Sequence, residues 1–335
     1  MPTFDKLRPE LRELLNKPVR ALGLKLEGSP VEACVERLYR ELEQKKLMTF
    51  RPPVYLTDEW GCPSGEPVIG LPFYLANSDL AQLEKEMNDL EDTREIMMYL
   101  RHEAGHAFNY AYRLYNRAEW RQIFGWFRRP YRDHYRPVPF SRNFVRHMAG
   151  WYAQKHPDED FAETFAVWLT PRSGWRKRYR GWGAMAKLEY MDRLARELRN
   201  VEPVRKKGRT DITVEEMETT VGELYRPAGE EVPIIDMASD TDLRDIFHGR
   251  KRGKRARPAQ DFLQQHRKAL VDKIAYWTGV ERPLVKRLVE AIEQRVGELG
   301  LLTDGQHEAE HLTEITVYAS TLAMNYLTNG KFVQP

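Results

Sequence analysis

The sequence predicts an α+β fold that is mostly helical, with a small sheet in its N-terminal part and a separate helical region at its C-terminal end. Three observations carry this expectation. Apolar residues recur every three or four positions through long segments of both halves, the spacing of helices with one buried face. Two short runs, Pro53–Thr57 and Val68–Leu75, have the character of strands, and Val19–Leu26 suits either strand or loop. Between the halves lies a stretch punctuated by Lys, Arg, Gly and Pro, where secondary-structure signals weaken. A chain of 335 residues suits two domains. The expected division is a first domain over 1–200, a basic, partly ordered connector over 201–258, and a three-helix region over 259–335.

Composition sets the class. With 41% hydrophobic and 31% charged residues the chain is globular and polar. No apolar run approaches the roughly 20 residues that a membrane span needs. Met1–Lys17 mixes charges throughout and lacks the apolar core of a secretory signal. Two cysteines, Cys34 and Cys62, cannot build a disulfide framework. A cytoplasmic protein is the expectation. A net charge of +3 is too small to imply nucleic acid by itself.

The elements follow in order. Ser29-Pro30-Val31-Glu32 reads as a capped helix start, with the helix running to about Lys46 and burying Val31, Val35, Leu38 and Leu42. Pro72 confines the Val68–Leu75 run to a sheet edge or a bulge, and a free edge can pair with an extended peptide. A helix starts at Ser78 or Asp79 and runs to about Leu90. The next, from about Thr93 to Arg117, carries an apolar stripe of Met97, Leu100, Ala104, Ala107, Phe108, Ala111 and Leu114. Residues 118–150 are rich in Trp, Tyr, Arg and Pro and suit either a cleft lining or a surface loop. Pro157 and the acids after it mark a helix N-terminus, where proline fits the first turn and carboxylates suit the positive dipole end. That helix ends at Thr170-Pro171. A further one, about Ala184 to Asn200, closes the first half. The C-terminal region reads as three helices, the first two ended by Gly279 and Gly300 and the last near Gly330.

The chemistry concentrates in the fourth of these segments. His102-Glu103-Ala104-Gly105-His106 is an H-E-x-x-H sequence. At 3.6 residues per turn its histidines stand on one face, where both imidazoles reach one metal ion, with Glu103 beside them to act on a water held there. Both histidines fall off the apolar stripe, so core packing alone does not account for them. A second H-E-x-x-H occurs at His307–His311. It has a charged residue, Glu310, between its histidines and no acidic helix behind it, and it reads as a solvated polar helix face. The first motif is followed by Glu159 and Glu163, one turn apart, and either can serve as a third ligand. The extended H-x-x-G-x-x-H pattern fails, because position 109 is Asn and position 112 is Tyr.

Together, His102-Glu103-Ala104-Gly105-His106 and Glu159-Asp160-Phe161-Ala162-Glu163 resemble the gluzincin group of zinc metallopeptidases. More narrowly they resemble the family named "putative zinc-binding metallopeptidase" and, more distantly, the catalytic domain of anthrax lethal factor. The resemblance covers residues 50–170 well and 171–200 loosely. It implies a minimal zincin-like domain in residues 1–200, Zn²⁺ as cofactor, and a peptide or protein substrate cleaved at an amide bond. It implies His102, His106 and Glu159 as metal ligands and Glu103 as the base. It also implies Glu163 as the partner that orients a ligand histidine, and Tyr152, seven residues before Glu159, as the donor to the oxyanion. The rival expectation is a non-catalytic or autoinhibited protein of the same fold. In it the basic connector, with Arg250-Lys251-Arg252-Gly253-Lys254-Arg255, and the helical tail bind an acidic protein or a nucleic acid.

Overall fold

The computed structural model describes residues 7–88, 90–132, 135–225, 240–247, 256–304, 307–330 and 332. It is an α+β fold dominated by helices, and it divides into two compact units. The first comprises Met1–Tyr135, Ser141–His147 and Tyr152–Ala228; the second comprises Arg136–Phe140, Met148–Trp151 and Gly229–Pro335. No helix is long and apolar enough to cross a membrane among the described residues.

The first unit holds helices α1 (Pro9–Leu15), α2 (Glu32–Gln44), α3 (Ser78–Met87), α4 (Thr93–Ala111), α5 (Ala118–Phe124), α6 (Pro157–Leu169), α7 (Trp175–Arg178), α8 (Ala184–Glu197) and α9 (Val221–Leu224). Strands β1 (Val54–Thr57) and β2 (Ile69–Pro72) form a two-stranded parallel sheet. Helix α4 is the axis of this unit. Asp92 accepts from the Arg94 and Glu95 amides while Glu95 accepts from the Asp92 amide, so three donors at its start are satisfied. It ends at Ala111, short of the expected Arg117, because Arg113 takes the left-handed conformation. Its apolar stripe packs on α2 and α6, with Phe108 in ring contact with Phe50 and Phe165. Arg101 anchors it further through two hydrogen bonds to the buried Glu41 of α2.

Helix α2 starts at Glu32 without the expected capping box: the Glu32 carboxylate accepts from the Gly28 amide, and Ser29 Oγ caps nothing. Helix α3 starts at Ser78 as expected, with Asn77 capping it by accepting from two amides of its first turn, and ends at Met87, short of the expected Leu90. Helix α5 lies inside the aromatic segment expected to be loop or cleft lining, and it buries Trp120 and Phe124.

Strand β2 departs from the open edge that its sequence suggests. One edge pairs with β1. On the other, the Val68 amide donates to Glu66, the Gly70 amide and carbonyl both bond Gly61, and Pro72 has no N–H. The turn from Gly61 to Glu66 therefore folds back and satisfies the donors that an extended peptide would use.

Residues 201–225, read from the sequence as connector, lie in the first unit, where Val214, Met217 and Val221 are buried. Most of the remaining connector, including the block Arg250–Arg255, lies outside the described residues. In the second unit, α10 (Asp240–Ile246), α11 (Ala259–Thr278), α12 (Arg282–Glu298) and α13 (Glu308–Asn329) share a core. Two three-residue strands, β3 (Ala256–Pro258) and β4 (Leu302–Asp304), pair antiparallel beside them. Gly279 ends α11 at a positive φ of 76°, and its bare Cα lies against the Trp151 ring, so only glycine suits both demands. His311 corrects the expectation of a solvated second motif: it is buried, its Nδ1 bonds the Ile246 carbonyl, and its ring packs on Phe247.

Candidate metal centre

Two helices build the site. Helices α4 and α6 approach so closely that a Cβ on Gly105 would stand 2.7 Å from Ala162 Cα and 2.9 Å from the Ala162 carbonyl oxygen. Only a residue without a side chain lets the two backbones meet here. The approach puts the His102–His106 face of α4 against the first two turns of α6. His156 caps α6: its Nδ1 accepts from the Asp158 amide while its Nε2 bonds the Arg129 carbonyl, which defines a neutral ring with the proton on Nε2.

Three ligand atoms converge. His102 Nε2 and His106 Nε2 are 3.1 Å apart, and Glu159 Oε2 lies 3.0 Å from the first and 3.2 Å from the second. All three residues are buried. For zinc bonded at about 2.0–2.1 Å in a tetrahedron, neighbouring ligand atoms are separated by about 3.3 Å, so the triangle has nearly the right size. The other faces of both imidazoles are committed. His102 Nδ1 is 3.0 Å from Glu163 Oε1, and His106 Nδ1 is 3.0 Å from Asp158 Oδ2. A carboxylate accepts only, so each Nδ1 carries a proton, and loss of the second proton would leave each Nε2 a lone pair aimed at the triangle. Two imidazole nitrogens and a carboxylate oxygen facing one point could hold a cation, and their chemistry fits a zinc ion.

The charges agree. Burial would push His102 down, but its hydrogen bonds to Glu159 and Glu163 prevail and raise it to about 10. His106 rises well above the usual imidazole range, as Asp158 and Glu159 overcome burial. The two histidines in turn hold Glu159 well below the usual carboxylate range against its burial. Without a cation, protons are thus drawn to the same nitrogens. Glu103, on the same turn, is raised by burial despite the two histidines.

Glu163 does not join the triangle. Its second oxygen accepts from the His147 amide at 3.2 Å, which leaves the carboxylate fixed behind His102. Tyr152 lies beside the site, its ring 5.6 Å from that of His102. Its hydroxyl is 3.2 Å from that of Tyr131, which donates to Glu159 Oε1 at 2.7 Å. Sequence reasoning missed two of these groups. Asp158 accepts from His106, from Asn109 Nδ2 at 2.7 Å and from the Tyr110 hydroxyl. The available signal was Asn109 and Tyr110, three and four residues beyond His106 and so on its face of the helix. Tyr131 gave none, since it comes from a loop 28 residues before Glu159.

An H-E-x-x-H helix joined to a carboxylate from the next long helix defines a candidate three-ligand metal centre. A model of the family described as "Putative zinc-binding metallo-peptidase" matches residues 67–179, about a third of the chain. The matched residues include every member of the site described above. No curated protein and no solved structure matches the chain. The likeness to gluzincins and to anthrax lethal factor rests on the motif residues alone.

Proposed function

We propose that the chain is a zinc-dependent metallopeptidase in which His102, His106 and Glu159 hold the ion and Glu103 is the proton carrier. The observation that supports it is the convergence of two imidazole nitrogens and one carboxylate oxygen beside the buried Glu103 of the same helix turn. When bound, zinc supplies a Lewis acid that polarises the scissile carbonyl and acidifies water. The protein's own residues do the rest. Glu103, with its proton affinity raised by burial, takes a proton from the attacking water and returns it to the leaving amine. Burial, then the nearby Glu159, pushes the Tyr152 phenol up, so it stays protonated and can donate to the carbonyl oxygen as charge develops there. Glu163 and Asp158 hold the two imidazoles in the ligating tautomer.

The test combines metal analysis with one substitution. The purified full chain should carry about one zinc ion per molecule, and Glu103→Gln should keep it while losing peptide hydrolysis. Full hydrolysis by Glu103→Gln would sink the mechanism. A wild-type chain that takes up no zinc would sink the site.

A further inference from the structure

The two oxygens of Glu159 are in different hands. Oε2 is a corner of the ligand triangle, whereas Oε1 accepts a 2.7 Å hydrogen bond from the Tyr131 hydroxyl. The Tyr131 side chain is not there to fill the core, because the residue is 51% exposed. A phenol has one proton. With that proton on Glu159, the 3.2 Å contact between the hydroxyls makes Tyr152 the donor to Tyr131. The result is a chain from Tyr152 through Tyr131 to Glu159, each bond polarising the next. The Lys155 ammonium sits 4.7 Å from the Tyr131 ring centre and 5.1 Å from that of Tyr152, which pins both rings.

We propose that Tyr131 is a positioning residue that keeps Glu159 a one-oxygen ligand, and thereby keeps one coordination position of the metal free for water. The inference rests on the metal-site reading above and deepens it. Two imidazoles and both oxygens of a carboxylate would fill all four positions that zinc ordinarily takes. A hydrogen bond to Oε1 makes that oxygen the poorer ligand and turns Oε2 alone toward the histidines. The Tyr152 proton therefore rests on Tyr131 and must turn away from it to meet the oxyanion.

The experiment is Tyr131→Phe in the full chain loaded with Co²⁺ in place of zinc. The ring and its contact with Lys155 remain, and the hydroxyl alone is lost. The visible cobalt bands of wild type should change between about pH 6 and 9 as the metal-bound water loses its proton, and that change should be lost in the variant once Oε1 takes the water's position. With zinc, kcat should fall about tenfold or more, the usual size for a group that orients a ligand, with KM little changed. The unfolding midpoint of the metal-free variant, matching that of wild type, excludes misfolding as the cause. Cobalt bands in Tyr131→Phe that change with pH as in wild type overturn the proposal whatever happens to kcat, since a rate loss alone would place Tyr131 on the substrate. A wild-type protein that binds neither zinc nor cobalt overturns the metal-site reading, and this inference with it.

Discussion

The contact between Gly105 and Ala162 sets the width of the metal site, and Gly105→Ala tests that link. The added Cβ would stand 2.7 Å from Ala162 Cα, about 0.7 Å short of the 3.4 Å where ordinary contact begins. The obstacle is backbone of α6, which has no flexible tip to swing aside. Two terms of opposite sign enter stability. Alanine in a helix interior gains about 1 kcal/mol over glycine, while overpacking a tight contact costs about 1–3 kcal/mol. The net change in folding free energy is therefore a small loss. The site is the more sensitive reporter. If α4 and α6 part by about 0.7 Å, the 3.0–3.2 Å edges between Glu159 and the two histidines grow to nearly 4 Å, well past the roughly 3.3 Å that zinc spans. Zinc affinity, read by competition with a chromophoric chelator, should drop at least about tenfold. Wild-type zinc affinity with an unfolding midpoint at or above wild type would show that the interhelical contact does not govern the site.

Other substitutions separate the carboxylates. Glu159→Ala should abolish stoichiometric zinc binding, whereas Glu163→Ala should weaken it by about 10–100-fold through loss of the His102 tautomer; the reverse order in chelator competition would exchange their roles. Asp158→Asn keeps the shape of the side chain but replaces one acceptor oxygen by a donor, so it cannot serve His106, Asn109 and Tyr110 together. Its zinc affinity should fall into the same 10–100-fold range, and an unchanged value would remove Asp158 from the site.

What the sequence reveals here follows the range of the physics. The stripe on α4 and the acidic start of α6 are set by neighbours three or four residues apart, and the fold carries both. The histidines off that stripe are nonetheless buried, at 2% and 6% exposure, because α6 covers a second face of α4 that no single-helix pattern can show. Asp158 and Tyr131 acquire their partners through tertiary contact, so local spacing is silent about them. The closed edge of β2 arises from hydrogen bonds between Gly61 and Gly70, and backbone groups leave no mark in side-chain alternation. Strands β3 and β4, three residues each, are too short for a period to register. His311 misleads for the opposite reason: its polar neighbours in sequence point away from the core that its own ring enters.

The same carboxylates would make a bound metal part of the fold. Asp158, Glu159, Asp160 and Glu163 are all buried within two turns of α6. A buried anion is costly unless a counter-charge or donors meet it. Asp160 has the Lys187 ammonium at 2.6 Å, but Asp158, Glu159 and Glu163 face the two imidazoles. In the metal-free protein those rings supply the counter-charge by holding protons, and the consequence for stability has a definite sign. His102, raised from 6.5 to about 10, contributes stability that is complete below about pH 6.5 and is lost as pH rises through about 10. Glu159, held below 4.5, contributes stability present above that value and lost as pH falls beneath it. The metal-free chain should thus be best stabilised by this site between about pH 4.5 and 6.5. Zinc takes the lone pairs that those protons occupy, so its binding strengthens as pH rises. The gap between unfolding midpoints with zinc and with chelator should therefore widen from about pH 6 to about pH 9. A gap that is constant or narrows over that range would show that protons and metal do not compete for His102 and His106.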